Sequence, residues 1–129
     1  MLAKIKTNRE TRKVIADCLK KESLLLSHWL LLGVVATDKR KSMSEIADML
    51  EVKLPLVSRY VKELKSRGLV KVISDDQDKR TKYVIITQEG ADLLQKIEPD
   101  IKVALKQWLS HIPREHVDIY INVILLLGS

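Results

Sequence analysis

Residues 42–50 read Ser-Met-Ser-Glu-Ile-Ala-Asp-Met-Leu, and residues 54–70 read Leu-Pro-Leu-Val-Ser-Arg-Tyr-Val-Lys-Glu-Leu-Lys-Ser-Arg-Gly-Leu-Val. Ser42 and Glu45 have the spacing of a capping box, in which each side chain accepts a hydrogen bond from the other residue's backbone N–H. Apolar residues then recur at helical spacing as far as Leu50. The first stretch therefore predicts a short amphipathic helix over 43–50.

A second helix is expected after a three-residue break, from Leu54 to a stop at Gly68. Pro55 suits the first turn of a helix, and glycine suits the left-handed residue that ends one. Its apolar stripe is predicted to comprise Val57, Tyr60, Val61 and Leu64. Its opposite face is basic and rich in hydroxyls, and comprises Leu56, Ser58, Arg59, Lys62, Ser66 and Arg67. Two short helices joined this closely are typical of a helix-turn-helix, whose second helix enters the DNA major groove.

A β-hairpin is expected after these helices. Residues 69–73 and 82–87 are rich in β-branched side chains, which favour strands, and the polar residues 74–81 suit the turn between them. From Arg59 to Lys82 the chain has eight cations and four acids. This concentrated positive charge suits a polyanion, so we interpret the hairpin as a wing beside the helix-turn-helix.

Asp78 lies two residues before Arg80, near the expected tip of this wing. We expect Asp78 to orient the arginine by an ion pair. Direct contact of Asp78 with DNA is disfavoured because phosphates repel a carboxylate.

The segment from Ser42 to Gly90 resembles the DNA-binding core of the multiple-antibiotic-resistance regulator (MarR) family of transcription factors. The residues that carry the resemblance are Ser42–Leu50, Val57-Ser58-Arg59, Leu64, Arg67-Gly68-Leu69-Val70, Asp78-Lys79-Arg80 and Ile86-Thr87-Gln88-Glu89-Gly90. The start of the second helix, residues 53–56, departs from the more polar start that is usual in the family. The resemblance implies a winged helix-turn-helix that binds double-stranded DNA as a homodimer. The predicted DNA contacts are Ser42, Ser44, Lys53, Pro55, Leu56, Ser58, Arg59, Lys62, Lys79, Arg80 and Lys82.

Two helices are expected before this core. One runs from about Arg9 to Lys20, and a strongly apolar one ends near Thr37, with Ser23 or Ser27 as its N-cap.

After the wing, Thr87 is expected to cap a long helix that Pro99 kinks, and Pro113 to open a last helix. Residues 119–127 of that last helix are apolar nearly all round, which favours a homodimer formed through the chain ends over a self-contained monomer. The predicted interface residues are Val14, Ile15, Leu19, Ile119, Val123 and Leu126.

The whole chain of 129 residues is predicted to be one domain, mainly α with a small β-hairpin (α+β). Residues 42–90 form its DNA-binding core, and residues 1–22 and 91–129 form a helical dimerisation region. The single cysteine, the lack of a signal peptide and apolar runs too short to span a bilayer favour the cytoplasm and no membrane partner.

Other sites have weaker signals. Cys18 lacks aromatic neighbours in sequence, so a structural thiol is favoured over a redox sensor. The three histidines have no helical i, i+4 pairing, so no metal site is predicted. Trp29 and Trp108 are candidates for the lining of an effector pocket, although tryptophans at such spacing are more often core residues. We find no catalytic constellation or phosphate loop, and therefore predict neither an enzyme nor a cofactor.

These features predict a sequence-specific transcriptional regulator, with repression as the expected direction, that binds a two-fold-related operator. A sensor that responds to a small ligand or to a metal ion by releasing the DNA remains open. Two alternatives also remain open: a non-specific architectural DNA-binding protein, and a winged helix used for contact with other proteins.

Overall fold

The computed structural model describes residues 9–37 and 39–110. Helices α1 to α5 and strands β1 to β3 follow one another along the chain, with one 3-10 turn between α1 and α2. Their bounds are α1 Arg9–Leu19, the 3-10 turn Lys20–Glu22, α2 Leu26–Val35, β1 Lys41–Ser42, α3 Met43–Leu50, α4 Leu54–Ser66, β2 Val70–Ser74, β3 Lys82–Ile86 and α5 Gln88–Leu109.

The helix-turn-helix consists of α3 and α4, and the predicted bounds of α3 are confirmed. Glu51 ends α3 in the left-handed conformation, with φ 57°, so the chain reverses within a few residues. Gly68 has φ +74° just after α4, where glycine avoids the steric cost of this region. The buried side chains of the two helices are Ile46, Ala47, Leu50, Val57, Val61 and Leu64.

The wing is part of a three-stranded antiparallel sheet with the order β1–β3–β2. The predicted hairpin is present, with Val72 opposite Val84. Strand β1 pairs with the other edge of β3, where Lys41 lies opposite Val84. The sequence does not predict β1, because two residues are too few to show the alternation that identifies a strand.

The wing leads directly into α5, and Thr87 joins the two. Its hydroxyl accepts a hydrogen bond from the Gly90 N–H at 3.1 Å and donates one to the Gly68 carbonyl at 2.6 Å. The prediction that Thr87 caps this helix is therefore confirmed. The helix continues through Pro99 to Leu109 and buries Leu94, Ile97, Ile101 and Leu105.

Helices α1 and α2 complete the core. Helix α1 packs along α5, and α2 is buried on nearly every side between α1, α3, α4 and α5. The prediction that Ser23 or Ser27 caps α2 is wrong. The N-cap is Leu25, and its N–H donates to Nδ1 of His28 at 3.2 Å, so the histidine ring takes the role that Glu or Gln has at the third helical position of a capping box. None of the helices in the described residues is both long enough and apolar enough to cross a bilayer.

Candidate nucleic-acid interface

The N-terminus of α3 is rigidly capped. The Glu45 N–H donates to the Ser42 hydroxyl at 3.1 Å, and the Ser42 N–H donates to the Glu45 carboxylate at 3.1 Å. This hydrogen bond from the Ser42 backbone lowers the pKa of Glu45, because it stabilises the charged carboxylate. The capping box therefore fixes the direction in which Ser42 and Ser44 face the solvent.

The N-terminus of α4 differs from that of α3. Lys53 is the N-cap, no side chain caps the helix, and Pro55 lies in the first turn. Leu54 and Leu56 are 47% and 38% exposed at this end of the helix. Exposed apolar side chains at the front of a recognition helix are suited to contact with thymine methyl groups.

A single groove joins the starts of α3 and α4 to the wing. Its volume is about 630 Å³, and its lining residues are Ser42, Met43, Ser44, Leu54, Pro55, Ser58, Arg80, Thr81 and Lys82. Six of the predicted DNA contacts are therefore brought together from three separate elements. The remaining predicted contacts do not line this groove but are all exposed, and are Lys53, Leu56, Arg59, Lys62 and Lys79.

Asp78 organises the tip of the wing. Its carboxylate accepts hydrogen bonds from the Arg80 N–H at 3.0 Å and from the Thr81 hydroxyl at 3.2 Å. The Arg80 Nε lies 3.6 Å from the same carboxylate, and the arginine side chain is 97% exposed. At that exposure the ion pair contributes little to stability. Its effect is to hold a cation at the hairpin tip beside the groove.

We expect Arg80→Ala to weaken DNA binding and to lower the slope of log K against log salt by about one unit, because one phosphate-facing cation is lost. The measurement is a salt titration of binding to one duplex. Lys106→Ala is the matched control, since this lysine is exposed in the last turns of α5, away from the wing. Unchanged affinity and slope for the Arg80 variant would remove the wing tip from the interface.

The turn end of the wing has further contacts that the sequence does not predict. The Tyr83 hydroxyl donates to Asp75 at 3.3 Å, and the Arg40 guanidinium lies 5.0 Å from the centre of the Tyr83 ring. The Gln77 N–H also donates to Asp75 at 2.9 Å, and this bond is the main cause that lowers the pKa of Asp75. Arg40 is therefore a further exposed cation next to the wing.

A second polar cluster lies behind the outer face of α4. One oxygen of Glu63 is 3.4 Å from the Arg59 Nε, and the other is 3.4 Å from the His28 Nε2. His28 is 5% exposed, and its pKa is lowered, chiefly by burial, although the nearby Glu63 raises it. The imidazole is therefore neutral near pH 7, and Arg59 already has an acidic partner on its own helix.

Arg67 is exposed and lies just after α4 as its C-cap, and its side chain contacts the turn between α1 and α2 instead of the groove. Its guanidinium donates to the carbonyls of Ser23 at 3.0 Å and Glu22 at 2.7 Å. Glu22 also forms an ion pair with Lys96 of α5 at 2.9 Å. Arg67 thus ties the end of the recognition helix to the turn between α1 and α2.

The prediction that Ile15 and Leu19 form the dimer interface is wrong. Both are 0% exposed within one chain, because this face of α1 packs on α5. Val14 is half-buried and lines a second groove of about 450 Å³ between α1 and α5. The other predicted interface residues lie outside the described residues, and are Ile119, Val123 and Leu126.

The tryptophans are core residues. Trp29 is 5% exposed within the hydrophobic core, and Trp108 packs against that core. Neither lines the 630 Å³ groove or the groove between α1 and α5. The described residues thus give no observation that favours an effector site at these two positions.

Cys18 is half-buried beside α5, where its thiol lies 3.8 Å from the Asp100 carbonyl oxygen. Burial raises its pKa, which disfavours the reactive thiolate. Among residues 9–37 and 39–110, no three His, Cys, Asp or Glu side chains are placed so that they could hold a metal ion. His111 and His116 lie outside this part of the chain.

Comparison with known proteins agrees with this geometry. Residues 23–81 match the sequence model of the MarR family. An uncharacterised helix-turn-helix transcriptional regulator of Staphylococcus aureus, SAV2265, is 24% identical over 90 residues, which cover 70% of this chain and 62% of the relative. The chain thus spans less than two thirds of the length of this curated relative.

Solved structures share the fold. The transcriptional regulator BldR from Sulfolobus solfataricus is 25% identical, with a TM-score of 0.76 over 95% of this chain and 89% of that chain. CouR from Rhodococcus jostii RHA1, solved with bound p-coumaroyl-CoA, is 21% identical, with a TM-score of 0.72 over 92% of this chain and 84% of that chain.

Proposed function

We propose that this chain, whose residues 23–81 match the sequence model of the MarR family, is a DNA-binding transcriptional regulator of that family that acts as a homodimer on a two-fold-related operator. Proteins of this family are DNA-binding regulators rather than enzymes. The observation that carries the proposal is the groove that joins the starts of α3 and α4 to the wing. Duplex DNA fits such a surface, because a recognition helix enters the major groove while a neighbouring hairpin contacts the backbone or the minor groove.

The charge of this surface supports the same function. Arg80 and Lys82 enter the groove from the wing, and Ser42, Ser44 and Ser58 face it from the helices. Cations beside phosphates release condensed counterions, and serine hydroxyls hydrogen-bond to phosphates or base edges. The chain as a whole has a net charge of +6, which favours approach to DNA.

Arg59 is the residue that we propose as a direct base contact, since its side chain is 69% exposed on α4. Arginine can bond to the O6 and N7 of guanine through two N–H groups. The DNA sequence used to test this contact is obtained by selecting the duplexes that the protein binds from a random DNA pool.

We expect Arg59→Ala to weaken binding to the selected duplex by about 1–3 kcal/mol and to affect a scrambled duplex much less. Binding isotherms on both duplexes at one salt concentration measure this difference. Arg9→Ala, which removes an exposed arginine from α1, is the control. Equal losses on both duplexes would make Arg59 a phosphate contact.

The same selection separates the proposal from its alternatives. If the selected pool shows no consensus and binding depends only on salt, the protein coats DNA without sequence preference. If neither Arg59→Ala nor Arg80→Ala changes DNA binding, the winged helix has another partner, and a protein contact becomes the better explanation.

A further inference from the structure

Glu63 lies between the recognition helix and a buried histidine. On its outer side, its carboxylate is 3.4 Å from the Nε of Arg59, one helical turn earlier on α4. On its inner side, it is 3.4 Å from the Nε2 of His28 on α2. The Glu63 side chain is 39% exposed, whereas that of His28 is 7% exposed. The carboxylate is thus held at the boundary between the core and the DNA-facing surface.

The histidine ring is fixed in place. Its Nδ1 accepts the Leu25 N–H at 3.2 Å, and its ring meets that of Tyr60 edge-on, with the centroids 6.0 Å apart. Since Nδ1 accepts a hydrogen bond, the proton of the neutral ring is on Nε2, the atom that faces Glu63. The buried ring therefore lies 3.4 Å behind the Glu63 carboxylate and blocks its movement towards the core.

The contact between Glu63 and Arg59 is an ion pair that DNA can replace. Within the described residues, the Glu63 oxygen nearest Arg59 is shielded from solvent, although the side chain as a whole is 39% exposed, and neither this oxygen nor the His28 Nε2 has a hydrogen bond of good geometry. Arg59 can therefore leave Glu63 without breaking a short hydrogen bond. When it leaves, the carboxylate stays near the DNA surface, since the buried ring behind it limits its movement.

We propose that Glu63 is a positioning residue that sets how selectively Arg59 reads DNA. Every duplex must draw Arg59 away from Glu63 and accept a carboxylate near its phosphates, which weakens binding to all sequences. Among the base edges of the major groove, a guanine in register offers Arg59 two acceptors in return, whereas a phosphate contact compensates equally on every sequence. Separation of Arg59 from Glu63 thus weakens binding to every duplex, and the guanine contact compensates for this loss only at the correct site. The difference in affinity between correct and incorrect sequences therefore increases. This inference rests on the proposed function, because it requires that α4 reads DNA.

The test compares Glu63→Gln with the unchanged protein on the selected duplex and on a scrambled duplex. We expect binding to the scrambled duplex to tighten by about two- to fivefold, as befits an exposed ion pair, and binding to the selected duplex to tighten less. The ratio of the two affinities should therefore fall. Glu51→Gln is the matched control: it removes the same charge from an exposed residue in the turn before α4 and should change both affinities by the same factor.

A double-mutant cycle with Arg59→Ala separates positioning from simple charge. In the Arg59→Ala background, Glu63→Gln should change both affinities equally, because no arginine remains for Glu63 to restrain. If Glu63→Gln leaves the ratio unchanged, or lowers it equally without Arg59, the inference is wrong. If the unchanged protein itself binds both duplexes equally, the proposed function fails instead.

Discussion

A chain that ends before His116 should lose dimerisation and specific DNA binding together. The removed segment contains residues 119–127, whose sequence is apolar except at Tyr120 and Asn122. Burial of one leucine-sized side chain contributes roughly 1.5–3 kcal/mol, so loss of several leaves too little association energy for a dimer. Without a dimer, two recognition helices are no longer held about 34–36 Å apart, the spacing that two half-sites one helical turn apart require.

Sedimentation at micromolar protein concentration measures the mass of the truncated chain and so tests the loss of dimerisation. Binding to the selected duplex tests the loss of specific DNA binding. A chain that ends after Leu127 is the control, because it is also shortened but keeps the apolar run. Circular dichroism of both chains checks that the helices remain. A monomer mass for the full chain would contradict the dimer, and with it the two-half-site operator.

The described residues narrow the surface that such a dimer can use. The apolar stripe of α1 that contains Ile15 and Leu19 is already buried against α5 within one chain. Val103, in contrast, is 56% exposed on α5 and lines the groove between α1 and α5. We therefore propose that the outer side of α5 contributes to the interface, together with the segment that follows it.

The helix-turn-helix could be predicted from sequence because its signals are local. The capping box of Ser42, the proline after Lys53 and the left-handed Gly68 each fix a helix end within four residues. Thr87 caps α5 for the same local reason. Of the predicted contacts that line the groove, only Ser58 followed from the face opposite the buried stripe of α4, and the others lie at the helix starts and on the wing.

The polar contacts between elements could not be predicted, because they join residues far apart in sequence. Nothing in the local sequence distinguishes Arg67 from any other exposed arginine. Its guanidinium nevertheless donates to carbonyls 44 and 45 residues earlier in the chain. In the sequence, His28 is likewise a single polar residue in an apolar helix, with no indication of its partner. Only the packing of α2 on α4 brings it next to Glu63. Amphipathic spacing identifies the face of a helix but not which partner the fold places against it.

The largest expected change in stability follows from Gly90→Ala. Gly90 is buried in the first turn of α5, where the wing returns to the helical core. A Cβ there would lie 2.3 Å from the Leu69 carbonyl oxygen and 2.8 Å from a side-chain carbon of Ile86. In an ordinary helix, glycine-to-alanine stabilises by up to about 1 kcal/mol, so helix propensity alone predicts the opposite sign.

We expect Gly90→Ala to lower the free energy of unfolding by about 3 kcal/mol, the upper end of the usual overpacking range, because the new methyl group meets backbone that cannot rotate away. Urea unfolding measures this change. Gly68→Ala is the matched control: its Cβ would meet only the tip of the flexible Glu89 side chain, at 3.0 Å, so the main penalty is the left-handed backbone and should be about 1 kcal/mol. A Gly90→Ala variant as stable as the unchanged protein would mean that α5 can move away from β2. The wing would then lack the rigid connection to the core that a reader of DNA shape requires.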